Sequence, residues 1–245
     1  MKKTKHHNTF ILFIRSLLFS IYSITSIVLY SFLCAISFLL SLKTRHMLIR
    51  VFLRAYIGAL RFICCIDYRV EGLHHLPKKG SGIVFSKHQS TWETMFLPLI
   101  FQDAAFIAKR ELLWIPFFGW GLAASDPIAI NRSDKSSAMQ QIIKKGKAAL
   151  STGRWVVFFP EGTRTAVGQV GHYRLGGARL AAATGAPVYP VAHNAGICWP
   201  RRQFLKIPGT ITVVIGPAIE TQGRAPDDIM SEAKTWIEAK MQLIA

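Results

Sequence analysis

A chain of 245 residues holds one α/β domain of ordinary size plus an appendage, and two full domains would not fit. Lys and Arg number 30 against 13 Asp and Glu, a formal charge of +17, on a chain that is 51% hydrophobic with positive mean hydropathy. Such basicity on an apolar chain points to an anionic membrane surface and away from nucleic acid, whose binders are polar as well as basic.

In chain order, no charged residue occurs from 16 to 42. At 1.5 Å per residue a helix of roughly 27 residues exceeds the ~30 Å hydrocarbon core, so this run is expected to be membrane-embedded. It is too long for a cleaved signal peptide and lacks a small-x-small pattern, while bulky Leu33 ahead of Cys34 argues against a lipoprotein cleavage site. The next stretch, 47–66, is apolar apart from Arg50, Arg54 and Arg61, whose spacing puts three guanidinium groups on one helical stripe. It reads as a helix in the membrane interface, arginines on lipid phosphates and Leu48, Val51, Phe52, Ile57 and Phe62 among acyl chains. A core helix with one wet face is the alternative. Lys2, Lys3, Lys5 and Arg15 precede the charge-free run, and Lys43, Arg45, Arg50 and Arg54 follow it. This balance of positive charge leaves a span and a re-entrant hairpin both open.

The four cysteines, Cys34, Cys64, Cys65 and Cys198, make no CxxC pair and have no histidine at metal-ligand spacing. Neither a zinc site nor a disulfide framework is expected, and the globular part is assigned to a reducing, cytosolic setting. From Asp67 onward, short β-branched or aromatic runs alternate with helical stretches. The prediction is a membrane-anchoring helical region over 1–66 and an α/β domain over 67–245, a mixed β-sheet flanked by helices. Strands are expected at 68–70, 82–86, 105–108, 127–130, 155–159, 188–192 and 210–215. Helices are expected at 90–100, 134–151, 177–184 and 226–244.

Four stretches carry candidate chemistry. In 85–93 an expected strand ends and a helix begins, where α/β proteins place reactive groups. In one continuous helix His88 and Glu93 would point about 140° apart, so they meet only if His88 lies in the turn before the helix. There the carboxylate would hold one ring nitrogen as a donor and leave the other free to take a proton. Ser90 and Glu93 also have the spacing of a capping box, which accounts for the glutamate without chemistry. In 158–165, proline ends a strand, Gly162 lets backbone N–H groups approach a ligand, and Arg164 offers a planar fork suited to phosphate. The third stretch, 109–132, adds Lys109 and Arg132 at expected strand ends. The fourth, 188–194, reads as a buried strand with a polar end, and His193 and His172 are expected to be structural.

Taken together, HxxxxE at His88 and Glu93, the cationic stretch 109–132, FPEGTR at 159–164 and the strand 188–191 stand in the order and approximate spacing of the four motif blocks of glycerolipid acyltransferases. Over 72–217 the chain resembles the bacterial 1-acylglycerol-3-phosphate acyltransferases. It departs from their usual NHxxxxD pattern in having Lys87 before the histidine and Glu93 for aspartate, a longer carboxylate that can still reach an imidazole.

The resemblance implies an acyl-CoA or acyl carrier protein donor, a lysophosphatidate acceptor, phosphatidate as product, and attachment to the cytoplasmic face of the inner membrane. His88 takes the role of general base with Glu93 behind it. Glu161, Gly162, Thr163 and Arg164, with Lys109 and Arg132, become the phosphate site, and the acyl chain is expected in a groove near Trp114, Phe117, Phe118 and Trp120. No metal or cofactor is called for, and with no GxSxG elbow the expected route is direct transfer without an acyl-enzyme. Acylation of another lyso-lipid, such as lyso-ornithine lipid or a lysophospholipid, and a non-catalytic basic membrane-binding protein are the alternatives.

Overall fold

The computed structural model of the chain describes residues 8–131 and 133–244, so Lys2, Lys3, Lys5 and Arg132 lie outside the described residues. The first helix, α1 (Thr9–Ser37), starts ahead of the charge-free run and is capped by Asn8, whose side chain accepts from the Phe10 N–H at 2.9 Å. A turn over 38–41 then reverses the chain. Ser41 opens α2 (Leu42–Cys64) by accepting from the Thr44 N–H at 3.2 Å, and Cys65, in the left-handed region at φ 52°, ends it. The charge-free run is therefore one helix plus a hairpin turn.

Seven strands follow: β1 (Ile66–Glu71), β2 (Ile83–Ser86), β3 (Ala105–Lys109), β4 (Ile128–Ile130), β5 (Val156–Phe158), β6 (Val188–His193) and β7 (Gly209–Ile215). They form one mixed sheet in the order β1-β7-β6-β2-β5-β3-β4, parallel except where β7 runs antiparallel to β6. All seven lie within a residue or two of the positions read from the sequence, because each is a short apolar run, β-branched or aromatic in character, whose alternate residues turn to opposite faces of the sheet. In β2, Ile83 and Phe85 join a core cluster with helices α5 (Lys135–Ser151), α6 (Gly176–Thr184) and α8 (Pro226–Ile244), while Val84 joins a cluster on the other face.

That second face is covered by α1, α2 and α3 (Trp92–Ile100), with Phe19, Tyr56, Leu60, Trp92 and Phe96 in one continuous core. The expected interfacial helix is corrected here. The α2 stripe of His46, Leu53, Tyr56, Ile57, Leu60 and Cys64 is buried against protein, so Ile57 is unavailable to lipid, and Phe52 stacks on Tyr30 at a centroid distance of 4.1 Å. Val51 and Phe62 remain exposed. Of the three arginines, Arg50 donates to Asp103 Oδ1 at 2.8 Å and Arg61 pairs with Asp67 at 2.9 Å, while Arg54 faces out. Two short helices, α4 (Phe118–Ala124) and α7 (Ala195–Cys198), were not anticipated, since both are glycine-bearing segments too brief to display a helical period.

Candidate active site

The sheet register brings the chemistry together. Strands β6, β2, β5 and β3 are adjacent and parallel, with Phe85 paired to Phe158 and Ser86 to Val191. Every stretch singled out in the sequence therefore leaves the same, C-terminal edge of the sheet, the edge where open α/β folds bind ligands.

His88 sits in the turn between β2 and α3, as the angular argument required. Its Nδ1 lies 2.8 Å from Glu93 Oε1, and the same oxygen accepts from the backbone N–H groups of Gln89 at 2.9 Å and Ser90 at 2.8 Å. The helix-start and imidazole roles of the glutamate are thus met by one atom. Glu93 is fully buried. Burial works against its charge, but the His88 ring and the Ser90 N–H, both hydrogen-bonded to it, help to outweigh that and hold the carboxyl below its usual range. An ionised acceptor at Nδ1 fixes hydrogen there, so Nε2 keeps its lone pair. The ring is 14% exposed and lies on Phe159 at a centroid distance of 4.0 Å and 16° between planes, which sets its tilt.

Beneath the histidine lies a second buried network. Lys87, 1% exposed, pairs with Glu161 Oε1 at 2.7 Å and donates to Glu238 Oε1 at 2.8 Å and the Gln169 carbonyl at 3.2 Å. Glu161 turns its other oxygen to the His88 N–H at 2.9 Å, and Thr165 donates its N–H to the His88 carbonyl at 2.8 Å and its hydroxyl to Glu161 Oε1 at 3.0 Å. The histidine turn is clamped from both backbone sides by the loop after β5. His193, expected to be structural, is fully buried; its Nε2 donates to the Lys87 carbonyl at 2.7 Å and its Nδ1 accepts from the Ala195 N–H at 3.3 Å. Those two bonds define the neutral tautomer, and burial holds its pKa below the ordinary 6.5.

The family described as Acyltransferase matches residues 67–194. The chain is also 46% identical over 195 residues to the 1-acyl-sn-glycerol-3-phosphate acyltransferase of Pseudomonas aeruginosa, a match covering 78% of this chain and 76% of that one. This chain is a member of the acyltransferase family. It is 30% identical over 179 residues to the chloroplastic 1-acyl-sn-glycerol-3-phosphate acyltransferase BAT2 of Brassica napus, spanning 72% of this chain and 51% of that relative. In fold it matches the crystal structure of the 1-acyl-sn-glycerophosphate acyltransferase PlsC from Thermotoga maritima, with a TM-score of 0.78, 24% identity and 94% of each chain covered.

In this acyltransferase His88 opens onto a cleft of about 710 Å³. At the histidine end Lys109, Gly162, Thr163 and Arg164 line it, joined by Arg201 and Arg202, which the sequence reading missed. Their only sequence signal is a pair of adjacent arginines after α7. Gly162 adopts φ +67°, a conformation that suits glycine and bends the loop around the cleft. Arg201 donates to the Arg164 carbonyl. Burial, opposed by Glu93 and reinforced by Arg201, draws the Arg164 guanidinium below its usual range, a concentration of positive charge that an anion would relieve.

Three expectations are corrected. Glu161 is not part of an anion cradle, because both oxygens are committed beneath His88 and a buried carboxylate would repel phosphate. Trp114 stands 71% exposed outside the cleft, and Trp120 instead packs edge-on to Phe32 of α1 at 6.0 Å. Phe117 and Phe118 do line the cleft, but much of its apolar wall comes from Ile27 and Tyr30 of α1, Phe52 and Leu53 of α2, and Met95 of α3.

Two outcomes are expected. Lys87→Met, which leaves Glu161 and Glu238 without their shared cation, should lower unfolding free energy by about 3–5 kcal/mol in a denaturant titration. His193 is neutral when folded, whereas the unfolded chain takes up its proton below 6.5, so this residue withdraws stability as pH falls through that value. The melting temperature of wild type should drop on acidification from pH ~7 to ~5, and His193→Gln should flatten that decline. Glu93, with its folded pKa lowered, adds its own acid loss only below its ordinary 4.5.

Proposed function

We propose that this acyltransferase moves a fatty acyl group from acyl-CoA or acyl carrier protein to the sn-2 hydroxyl of 1-acylglycerol-3-phosphate, giving phosphatidate. The observation that carries the reading is His88, held through Nδ1 by the buried Glu93 carboxylate at the wall of a cleft that is cationic beside the imidazole and apolar beyond it. An acceptor phosphate would sit among Arg164, Arg201, Arg202 and Lys109, with the acyl chain of the thioester in the apolar length. The Pseudomonas and Brassica relatives are named for the same acceptor.

In the step itself, His88 Nε2 takes the hydroxyl proton as the acceptor oxygen attacks the thioester carbonyl carbon. The buried Glu93 carboxylate offsets the charge gained by the imidazole. When the tetrahedral carbon collapses, the carbon–sulfur bond breaks and the proton on Nε2 passes to the departing thiolate.

The reading of α1 that fits best is a helix lying in the cytoplasmic leaflet of the inner membrane, with residues 1–66 as the anchoring region and 67–245 as the catalytic domain. Its outward side carries Phe10, Leu18, Ile21, Leu29, Leu33 and Ile36, and Leu39 at the hairpin tip is 89% exposed. Its inward side is fastened along its length, from Ser16 Oγ at the Lys206 N–H (2.9 Å) and Phe19 on Trp199 (5.5 Å) to Phe32 on Phe117 (6.0 Å). A perpendicular crossing would carry Trp199 and Phe117 into hydrocarbon with it.

Assays with lysophosphatidate and either donor test the proposal directly. His88→Ala and Glu93→Gln are each expected to lower kcat on the order of 10²–10⁴-fold while the proteins remain folded; glutamine still caps the turn but supplies no charge. Arg164→Ala should raise the acceptor KM by about tenfold or more and leave the donor KM nearly unchanged. Full activity in folded His88→Ala would remove the imidazole as the base, wild type inactive on every lyso-lipid would return the protein to the class of basic membrane binders, and turnover confined to lyso-ornithine lipid or a lysophospholipid would replace the acceptor.

A further inference from the structure

The family match ends at residue 194, yet a group far beyond it reaches the base from behind. Glu238 of α8 places Oε1 2.8 Å from Lys87 Nζ, inside the network under His88. The helix that presents it is firmly seated. Ile229, Ala233, Ile237 and Met241 bury one face of α8 in the core, and Asn194 Nδ2 donates to the Ile244 carbonyl at 2.8 Å, holding the last turn. The same Glu238 oxygen accepts from the Tyr173 hydroxyl at 2.7 Å. Burial, with Glu238 beside it, pushes that hydroxyl far above its ordinary range, so it keeps its proton and stays a donor.

The donors are divided between the oxygens of Glu161. Its Oε1 takes Lys87 and the Thr165 hydroxyl, and its Oε2 is left to the His88 N–H. That division needs enforcing. An ammonium is a compact point charge with rotatable donors, able to slide along a carboxylate, and on Oε2 it would compete with the backbone N–H that the glutamate holds. Three acceptors around Nζ fix its place: Glu161, Glu238 and the Gln169 carbonyl. Without Glu238 the only carboxylate left to the ammonium is Glu161 itself. Lys87, Glu161 and Glu238 stand behind the cleft wall and outside its lining, so their influence on the reaction passes through the His88 turn.

We propose that Glu238 is a positioning residue for the acyl transfer and that Lys87 and Glu238 work as one unit: the carboxylate on the terminal helix keeps the ammonium at Glu161 Oε1, which keeps Oε2 on the His88 N–H. The proposal rests on the reading of His88 as the base and adds what steadies the turn that carries it. Its signature is that each partner needs the other. Lys87→Asn installs the shorter, uncharged residue of the usual pattern and leaves two carboxylates without the cation they shared. Adding Glu238→Gln removes one of those charges. Glu238→Gln should therefore harm wild type and help Lys87→Asn, because breaking a buried ion pair from one side costs more than neutralising both partners.

The test measures turnover of lysophosphatidate with the donor wild type uses, at a temperature where circular dichroism shows each protein folded. Glu238→Gln should lower kcat about tenfold and leave donor and acceptor KM within about twofold of wild type, since a sub-ångström shift of a base costs rate on that order. Lys87→Asn should lose on the order of 10²-fold in kcat, and Lys87→Asn/Glu238→Gln should regain about tenfold of it. Ile237→Ala, which removes core packing from the same helix, should lower the melting temperature and keep kcat near wild type, separating the seating of α8 from the reach of Glu238. A kcat for Glu238→Gln no lower than that of wild type or of Ile237→Ala, a loss confined to KM, or a double variant no better than Lys87→Asn would overturn the proposal. If Lys87→Asn does not fold, the comparison of Glu238→Gln with Ile237→Ala decides alone. Wild type inactive on every lyso-lipid would instead sink the proposed function beneath it.

Discussion

Glu93 Oε1 holds three hydrogens, one from the His88 ring and two from the backbone of Gln89 and Ser90, in a site closed to water. A carboxylate buried this way tolerates its charge only while such donors surround it. That constraint fixes the turn between β2 and α3, and the turn in turn fixes where the imidazole points. The same atom starts a helix and orients a base, so the capping and catalytic readings of the S-x-x-E spacing describe one interaction from two sides.

The clamp on the other flank of His88 depends on strand register. Because β2 and β5 are parallel neighbours, the loop after Phe158 emerges beside the histidine, and Glu161 reaches back to its N–H while binding Lys87. The lysine that departs from the family's usual asparagine is the cation shared by Glu161 and Glu238, and Tyr173 adds a hydrogen bond to Glu238 at 2.7 Å. The terminal helix α8 supplies Glu238 and so ties the chain's last element to the floor of the site.

Much of this was legible in the sequence. Strands could be read because short β-branched runs sit between glycine, proline and polar breaks, and the His88–Glu93 contact because five residues of separation permit only a turn. Glu161 was misread because a carboxylate among glycine, threonine and arginine looks like part of a ligand loop, and nothing local announces Lys87 across from it. Arg201 and Arg202 escaped notice because they sit beyond a four-residue helix with no strand end to mark them. The apolar run 16–42 invites the assumption of lipid on every side. Its buried residues, Ser16, Phe19, Ser31, Cys34 and Ser37, are mostly small or polar, and that stripe was the available sign that one side meets protein.

The helical hairpin faces two ways. Its outer surface is apolar toward the surroundings, and its inner surface completes the sheet's core and walls the cleft through Ile27, Tyr30, Phe52 and Leu53. A chain shortened to begin at Ile66 would lose more than a tether: one face of the sheet would be stripped of Phe19, Tyr56 and Leu60, and the cleft would lie open along a side. Exchanging the hairpin between relatives would accordingly transplant part of the substrate chamber along with the means of docking.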